Sequence, residues 1–156
     1  MRFRKVAMGG TFHRIHKGHK ALFREAFKVG REVIVGLSSD SLVRSRHKSH
    51  DIHPYSKRRA RVIEFFEKEG LLKRAKIVPL EDPYGPTIWD EDIEAIVVSE
   101  ETKSTAVRIN EIRKKRGLDP LKILVINRVQ AENGGLISTS RILRGEIDEE
   151  GRLLDK

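Results

Sequence analysis

His13, His16 and His19 recur at intervals of three within GGTFHRIHKGH, residues 9 to 19, and His47, His50 and His53 repeat that spacing further along the chain. Histidines so grouped suit two chemistries, metal ligation and the binding of phosphate charge. Metal ligation is the weaker fit, because successive steps of three drift around a helix and no Asp or Glu lies between residues 9 and 19. No metal ligand is therefore assigned. Gly10 and Gly18 let backbone approach a ligand, and a helix opening near Gly18 aims unpaired N–H groups at an anion. Once that helix has begun, His16 and His19 stand one turn apart and are expected to serve the same phosphate. The ordinary alternative is a glycine-rich turn that carries solvated histidines.

A second candidate lies near the other end, in GGLISTSRILRG, residues 134 to 145. Ser138, Thr139 and Ser140 offer hydroxyls and backbone donors at an expected helix start, while Arg141 and Arg144 are spaced to reach phosphates. Ser138 alone would read as an N-cap. Two phosphate-type helix starts after separate strands are harder to explain as caps.

Positioning both motifs requires alternating strands and helices. Phe3 to Met8 predicts a strand running into Gly9 and Gly10, and a helix follows in which Leu22 and Ala26, and Phe23 and Phe27, share one face up to Gly30. Glu32 to Leu37 is a continuous apolar run, as in a strand covered on both faces. Further on come a short helical turn at Ser38 to Val43 and a helix from Tyr55 to Glu69 with Val62, Ile63 and Phe66 inward. Strands follow at Ala75 to Leu80, Ala95 to Ser99 and Leu121 to Asn127, with a loop at Asp82 to Pro86 and a helix from Thr102 to Arg116 closed by Gly117. A last helix is expected from Ser138. The alternation predicts an α/β fold: a Rossmann-like, doubly wound, five-stranded parallel sheet with helices on both faces. Ligands of such sheets bind beyond the carboxyl ends of the strands where strand order reverses, which groups residues 9 to 19, 99 to 102 and 127 to 141.

Composition narrows the choice of chemistry. The chain of 156 residues fits one domain, and no apolar run approaches the roughly 18 residues that span a bilayer. The basic start Met1 to Lys5 leads into a run too short for a signal peptide, so a cytoplasmic protein is expected. Cysteine is absent, which removes thiol nucleophiles, disulfides and Cys-based zinc sites. A net charge of +9 calls for an anionic partner, either nucleic acid or a phosphorylated small molecule. Aromatics at 6% and the lack of a reader motif count against a nucleic-acid-binding module. One Gln and three Asn beside abundant Lys, Arg and Glu lead us to expect a thermophilic source. For the basic runs Lys57 to Arg61 and Arg113 to Arg116 the ordinary alternative is a solvated face, which is preferred for the latter because cations are favourable at a helix C-terminus.

His16-Lys17-Gly18-His19 resembles the HxGH motif of the nucleotidyltransferase superfamily, and Ile137 to Arg141 resembles its ISSTxxR-type motif. Within that superfamily, GGTFHRIHKGHKALF, GLSSDSLVRS, PYSKRRARVIEF, IVVSEET, INEIRKKRGLDPLKI and ISTSRILRGEID are similar to the archaeal type of phosphopantetheine adenylyltransferase, related to one domain of the eukaryotic bifunctional coenzyme A synthase. The likeness covers about residues 3 to 148 and implies a single nucleotidyltransferase domain, 1–156, with a loose tail after about residue 146. It implies adenylyl transfer from ATP to 4'-phosphopantetheine, giving dephospho-coenzyme A and pyrophosphate by direct in-line attack. A cytidylyl- or adenylyltransferase for another phosphorylated small molecule is the alternative.

By the same likeness, His19 would contact the α-phosphate with His16 beside the triphosphate. Gly10, Thr11, Phe12 and Gly18 would form the phosphate-binding turn, Ser138, Thr139 and Arg141 would hold the β and γ phosphates, and Glu100 and Thr102 would border the nucleotide. Mg2+ is expected to arrive on the nucleotide oxygens. A basic residue after the second strand should clamp the reacting phosphates; Arg44, Arg46 and Lys48 compete, with Arg44 favoured. The family commonly has Asp where this chain has His13.

Overall fold

The computed structural model describes residues 2–13, 15–46 and 52–126. Its elements run β1 (Phe3–Gly10), α1 (Lys17–Val29), β2 (Gly30–Ser38), α2 (Asp40–Arg46), α3 (Tyr55–Lys68), β3 (Ala75–Leu80), β4 (Ala95–Val98), α4 (Lys103–Lys115) and β5 (Lys122–Val125), with 3-10 turns at Leu72–Arg74 and Gly85–Ile88. The five strands form one sheet in the order β3-β2-β1-β4-β5, and every pairing is parallel. The chain winds outward from β1 to β3, then jumps back to add β4 and β5 beside β1. Strand order therefore reverses between β1 and β4.

Alternation along the strands separates two cores. Val6 and Met8 of β1, Val33, Val35 and Leu37 of β2, and Ala95 and Val97 of β4 pack against Leu22, Phe23, Ala26 and Phe27 of α1 and Val62 and Phe66 of α3. Ala7, Ile34, Ile96 and Val98 point the other way, against Ala106 and Ile109 of α4 and Leu121. Both faces of the central strands are covered, as their unbroken apolar runs require. Phe12, Phe23, Phe27, Phe65 and Phe66 form a chain of ring contacts through the α1/α3 layer. Ile63, expected inward with Val62 and Phe66, is only half-buried because it lies off their stripe. No helix among the described residues is long and apolar enough to cross a membrane.

Two glycines act as anticipated, for different reasons. Gly117 closes α4 at φ 77, a left-handed conformation that a side chain resists. Gly30 follows α1 at φ −113, which any residue adopts; a Cβ there would lie 2.6 Å from Val6 Cγ2, so close packing on β1 demands the small residue.

Arginines fasten the element ends. Arg74 donates to the Arg31 and Gly30 carbonyls at 3.0 and 2.7 Å, where α1 gives way to β2. Arg113, read from sequence as part of a solvated cluster, is 1% exposed and donates to the carbonyls of Asp119, Thr87 and Asp90 at 2.7, 2.8 and 3.1 Å. Burial pulls its pKa down, against the attraction of Asp90 and Asp119. It sits inside because it continues the Ala106, Ile109 stripe of α4 at helical spacing.

Lys5 of β1 reaches Asp90 at 2.7 Å, with side chains 19% and 14% exposed. Burial pushes the Asp90 carboxyl up, but the Lys5 ammonium and the Asp92 N–H outweigh it and leave its pKa below 3.8. Lys5 is raised above 10.5, chiefly by its hydrogen bond to Asp90. A lowered acid stabilises the fold above its unfolded pKa and loses that contribution as pH falls through the folded value, whereas the raised base loses its share only in strong alkali. Asp90→Asn is expected to lower stability near neutral pH by about 2 kcal/mol. Urea midpoints measured from pH 7 down to about 2 should show the wild type losing part of this advantage below about pH 4.

Candidate active site

The carboxyl end of β1 delivers the histidine turn to the crevice between β1 and β4. Phe12 is bent to φ 49, an unusual backbone for an aromatic residue. Its ring, 2% exposed, lies 5.0 Å from that of His19, edge to face, and 4.9 Å from that of Phe23. Strain on the order of 1–2 kcal/mol is offset by this burial, and the turn is drawn onto the core. Only the backbone of Phe12 is left to meet a ligand. Thr11 beside it is half-buried.

His16 caps α1, and His19 completes a reciprocal box. The His19 N–H donates to His16 Nδ1 at 3.3 Å, and the His16 N–H donates to His19 Nδ1 at 3.4 Å. The imidazoles stack, 3.6 Å apart and 17° from parallel. Because each Nδ1 accepts, a neutral ring carries its proton on Nε2. A Cβ at Gly18 would lie 3.1 Å from the His16 ring, and one at Gly10 would lie 3.0 Å from the Phe12 ring. Both glycines thus make room for the turn's own side chains as well as for backbone approach.

Behind the turn lies Arg58, with none of its surface exposed. Its guanidinium donates to the carbonyls of Thr11, Ser38 and His53 at 2.9, 2.8 and 2.8 Å and to Asp40 Oδ1 at 3.1 Å. Arg61 donates to the His13 carbonyl at 3.1 Å. Of the cations in the run Lys57 to Arg61, Lys57 and Arg59 are exposed, while Arg58 is buried and Arg61 half-buried. Sequence reasoning missed Arg58 as part of this corner. The signal was its phase: Arg58, Val62 and Phe66 follow one another at intervals of four, so the stripe that buries the two apolar residues buries the arginine too.

On the α4 side of the sheet a cavity of about 110 Å³ opens at the switch point, with Gly9, Gly10 and Gly36 on its floor and Tyr84, Thr102 and Ala106 among its walls. Gly9 and Gly36 are paired neighbours on β1 and β2, and a Cβ on Gly9 would lie 3.0 Å from the Gly36 carbonyl oxygen. Two adjacent strands thus carry no side chain here, and Leu80 packs over them, its Cδ1 2.8 Å from where a Gly36 Cβ would stand and 3.4 Å from that of Gly9. Gly10 belongs both to this cavity and to the histidine turn, so the two are contiguous. Thr102 begins α4 and accepts the Ser99 N–H on Oγ1 at 3.1 Å.

Of the residues singled out from sequence, Gly10, Thr11, Phe12, His16, Gly18 and His19 come together in one turn, with Thr102 across the cavity. Glu100 is exposed, as is Arg44 on α2, and no hydrogen bond joins either to the turn among the described residues. The Arg46 side chain, Lys48, Ser138, Thr139 and Arg141 lie outside the described residues, as do the last expected helix and the tail. Ile126, the last described residue, donates its N–H to the Val98 carbonyl at 2.9 Å, at the carboxyl ends of the strands. The two histidine triplets meet differently from the spacing argument, for His13 packs against His53, ring centroids 4.5 Å apart.

Comparison with known proteins gives this site a family. The family model described as cytidylyltransferase-like matches residues 7–145. A phosphopantetheine adenylyltransferase from Methanopyrus kandleri is 49% identical over 148 residues, covering 95% of this chain and 93% of its own. One from Pyrococcus abyssi is 44% identical over 151 residues, covering 97% and 96%. The chain belongs to the archaeal phosphopantetheine adenylyltransferases, within the cytidylyltransferase-like family. A crystal structure of a protein of unknown function from Archaeoglobus fulgidus shares the fold at a TM-score of 0.72 and 34% identity, covering 86% of this chain and 99% of that one.

Replacing Arg58 with Lys keeps the charge but gives up the planar fork that spans four acceptors. Arg58→Lys is expected to lower unfolding stability by about 2–3 kcal/mol. Arg59→Lys on the exposed side should stay within about 0.5 kcal/mol of wild type. Urea unfolding of both variants checks the contrast.

Proposed function

We propose that this protein transfers the adenylyl group of ATP to 4'-phosphopantetheine, forming dephospho-coenzyme A and pyrophosphate. The observation that carries the reading is the contiguity, through Gly10, of a histidine-capped helix start with an apolar cavity at the switch point of the sheet. A phosphate-binding corner beside an apolar recess suits an acceptor with a phosphate at one end and a long, weakly polar arm. The near full-length likeness to phosphopantetheine adenylyltransferases supports the same substrates.

In this reading the acceptor phosphate is the nucleophile. One of its oxygens attacks the α-phosphorus of ATP, the bond to the β-phosphate oxygen breaks, and pyrophosphate leaves. No side chain need become covalently attached, which suits a chain without cysteine. The protein's contribution is alignment and charge stabilisation. His19 and His16, each with its proton on Nε2, would donate to α-phosphate oxygens and the triphosphate as negative charge builds. Gly10, Thr11, Phe12 and Gly18 would supply backbone, and Arg58 would hold the Thr11 carbonyl so that the turn keeps its shape. Ser138, Thr139 and Arg141 would hold the β and γ phosphates, Arg44 would clamp the reacting groups from α2, and Glu100 and Thr102 would border the nucleotide. Among the described residues no three His, Asp or Glu side chains are placed to hold a metal ion together. Mg2+ would be held by nucleotide oxygens, where it would offset triphosphate charge.

Pyrophosphate release with Mg-ATP and 4'-phosphopantetheine tests the proposal directly. His19→Ala is expected to lower kcat by about 10² or more, as for a lost oxyanion donor. Since the matching family model is described as cytidylyltransferase-like, CTP belongs in a parallel assay; faster turnover with CTP would move the nucleotide assignment. Ala106→Leu, which narrows the cavity that Thr102 also walls, should raise KM at least about tenfold for the substrate lodged there, and KM measured for both ATP and 4'-phosphopantetheine checks it.

A further inference from the structure

The structure gives the His13 imidazole a defined place. It is 1% exposed. Its Nδ1 accepts the His53 N–H at 3.1 Å. That bond joins the phosphate turn directly to residues 52–54, the stretch that leads into α3. Around it the same two segments are held from behind, since Arg58 donates to both the Thr11 and His53 carbonyls and Arg61 to the His13 carbonyl.

We infer that His13 is a positioning residue, a latch whose neutral Nδ1 holds the phosphate turn in its active shape and whose protonation releases it. The inference rests on the adenylyl-transfer reading for its activity readout. Protonation would put a hydrogen on Nδ1 facing the hydrogen of the His53 amide, turning an attraction into a clash. The described charged and titratable groups facing this corner are the His53 ring beside His13, Arg58, Arg61 and Tyr55 of α3, and Asp40 of α2, whose carboxylate pairs with Arg58 and accepts the Tyr55 N–H. Apart from Asp40, these described charged neighbours are cations. A protonated His13 would join them, with its acceptor gone. An Asp carboxylate at this position also accepts an N–H, and it keeps that capacity to lower pH than an imidazole does.

The test pairs activity with amide exchange. Wild type, His13→Asp and His13→Phe are assayed for pyrophosphate release with Mg-ATP and 4'-phosphopantetheine from pH 5 to 9, and protection of the His53 amide is measured by hydrogen exchange. His13→Phe keeps an aromatic ring beside His53 and removes the acceptor; it should lower kcat at pH 8 by about 10- to 100-fold and speed His53 exchange. His13→Asp should restore both, and its acid limb should fall at lower pH than that of the wild type. Wild-type kcat and protection in His13→Phe would overturn the latch, and so would coincident acid limbs in wild type and His13→Asp. If His13→Phe does not fold, the comparison of wild type with His13→Asp decides alone. An inactive wild type would instead overturn the reaction, while His53 protection across pH would still read the latch.

Discussion

A guanidinium withdrawn from water must find acceptors for its five donors, and Arg58 finds four bonds where the site needs rigidity. Three acceptors are backbone carbonyls: Thr11 just past β1, Ser38 at the end of β2 and His53 ahead of α3. The fourth is Asp40, at the start of α2. Asp40 also accepts the Tyr55 N–H at 2.8 Å and so caps α3, which follows Pro54 and receives no side-chain cap from it. One buried cation thereby fixes the relative positions of two strand ends and two helix starts. Burying such a charge without these bonds would be strongly unfavourable, so the corner forms as a unit.

The sheet supplies the second constraint. Because side chains alternate between faces, β1 and β2 turn Met8, Val35 and Leu37 toward α1 and α3 while Gly9 and Gly36 face α4. On one side this builds a dense aromatic layer, and on the other it leaves glycine backbone against which Leu80 packs. The cavity extends from there to the reversal of strand order beside β1, where Ile96, Val97 and Val98 of β4 join its lining. Phe12 links the two sides: its ring is buried in the aromatic layer, and its left-handed backbone swings the chain from the end of β1 toward α1, where His16 and His19 cap the helix reciprocally.

Much of this was legible in the linear chain. Apolar runs and glycine stops located β3 and placed the remaining described strands and major helices to within a few residues, because hydrophobic period and turn chemistry are local properties. The histidine turn was legible for a similar reason, since a helix start with glycines on either side has only a few plausible uses. Arg113 was misread and Arg58 was given no role, because a basic run looks solvated residue by residue. Which cation turns inward depends on the phase of the helix, and both fall on the stripes occupied by Val62 and Phe66 or by Ala106 and Ile109. The partnership of His13 with His53 had no local signal, since forty positions separate them and their common spacing suggested triplets instead.

By itself, then, the order of residues determined which segments become strands and helices, that the sheet is parallel and doubly wound, and which turn could meet a phosphate, all of which follow from patterns a few residues long. Only the tertiary structure decided which arginines are interior, that two glycines on neighbouring strands create one cavity floor, and that His13 is tied to the approach to α3. Those outcomes depend on which distant backbone carbonyls, N–H groups and side chains are brought within a few ångströms, and the packing of helices on both faces of the sheet sets those distances.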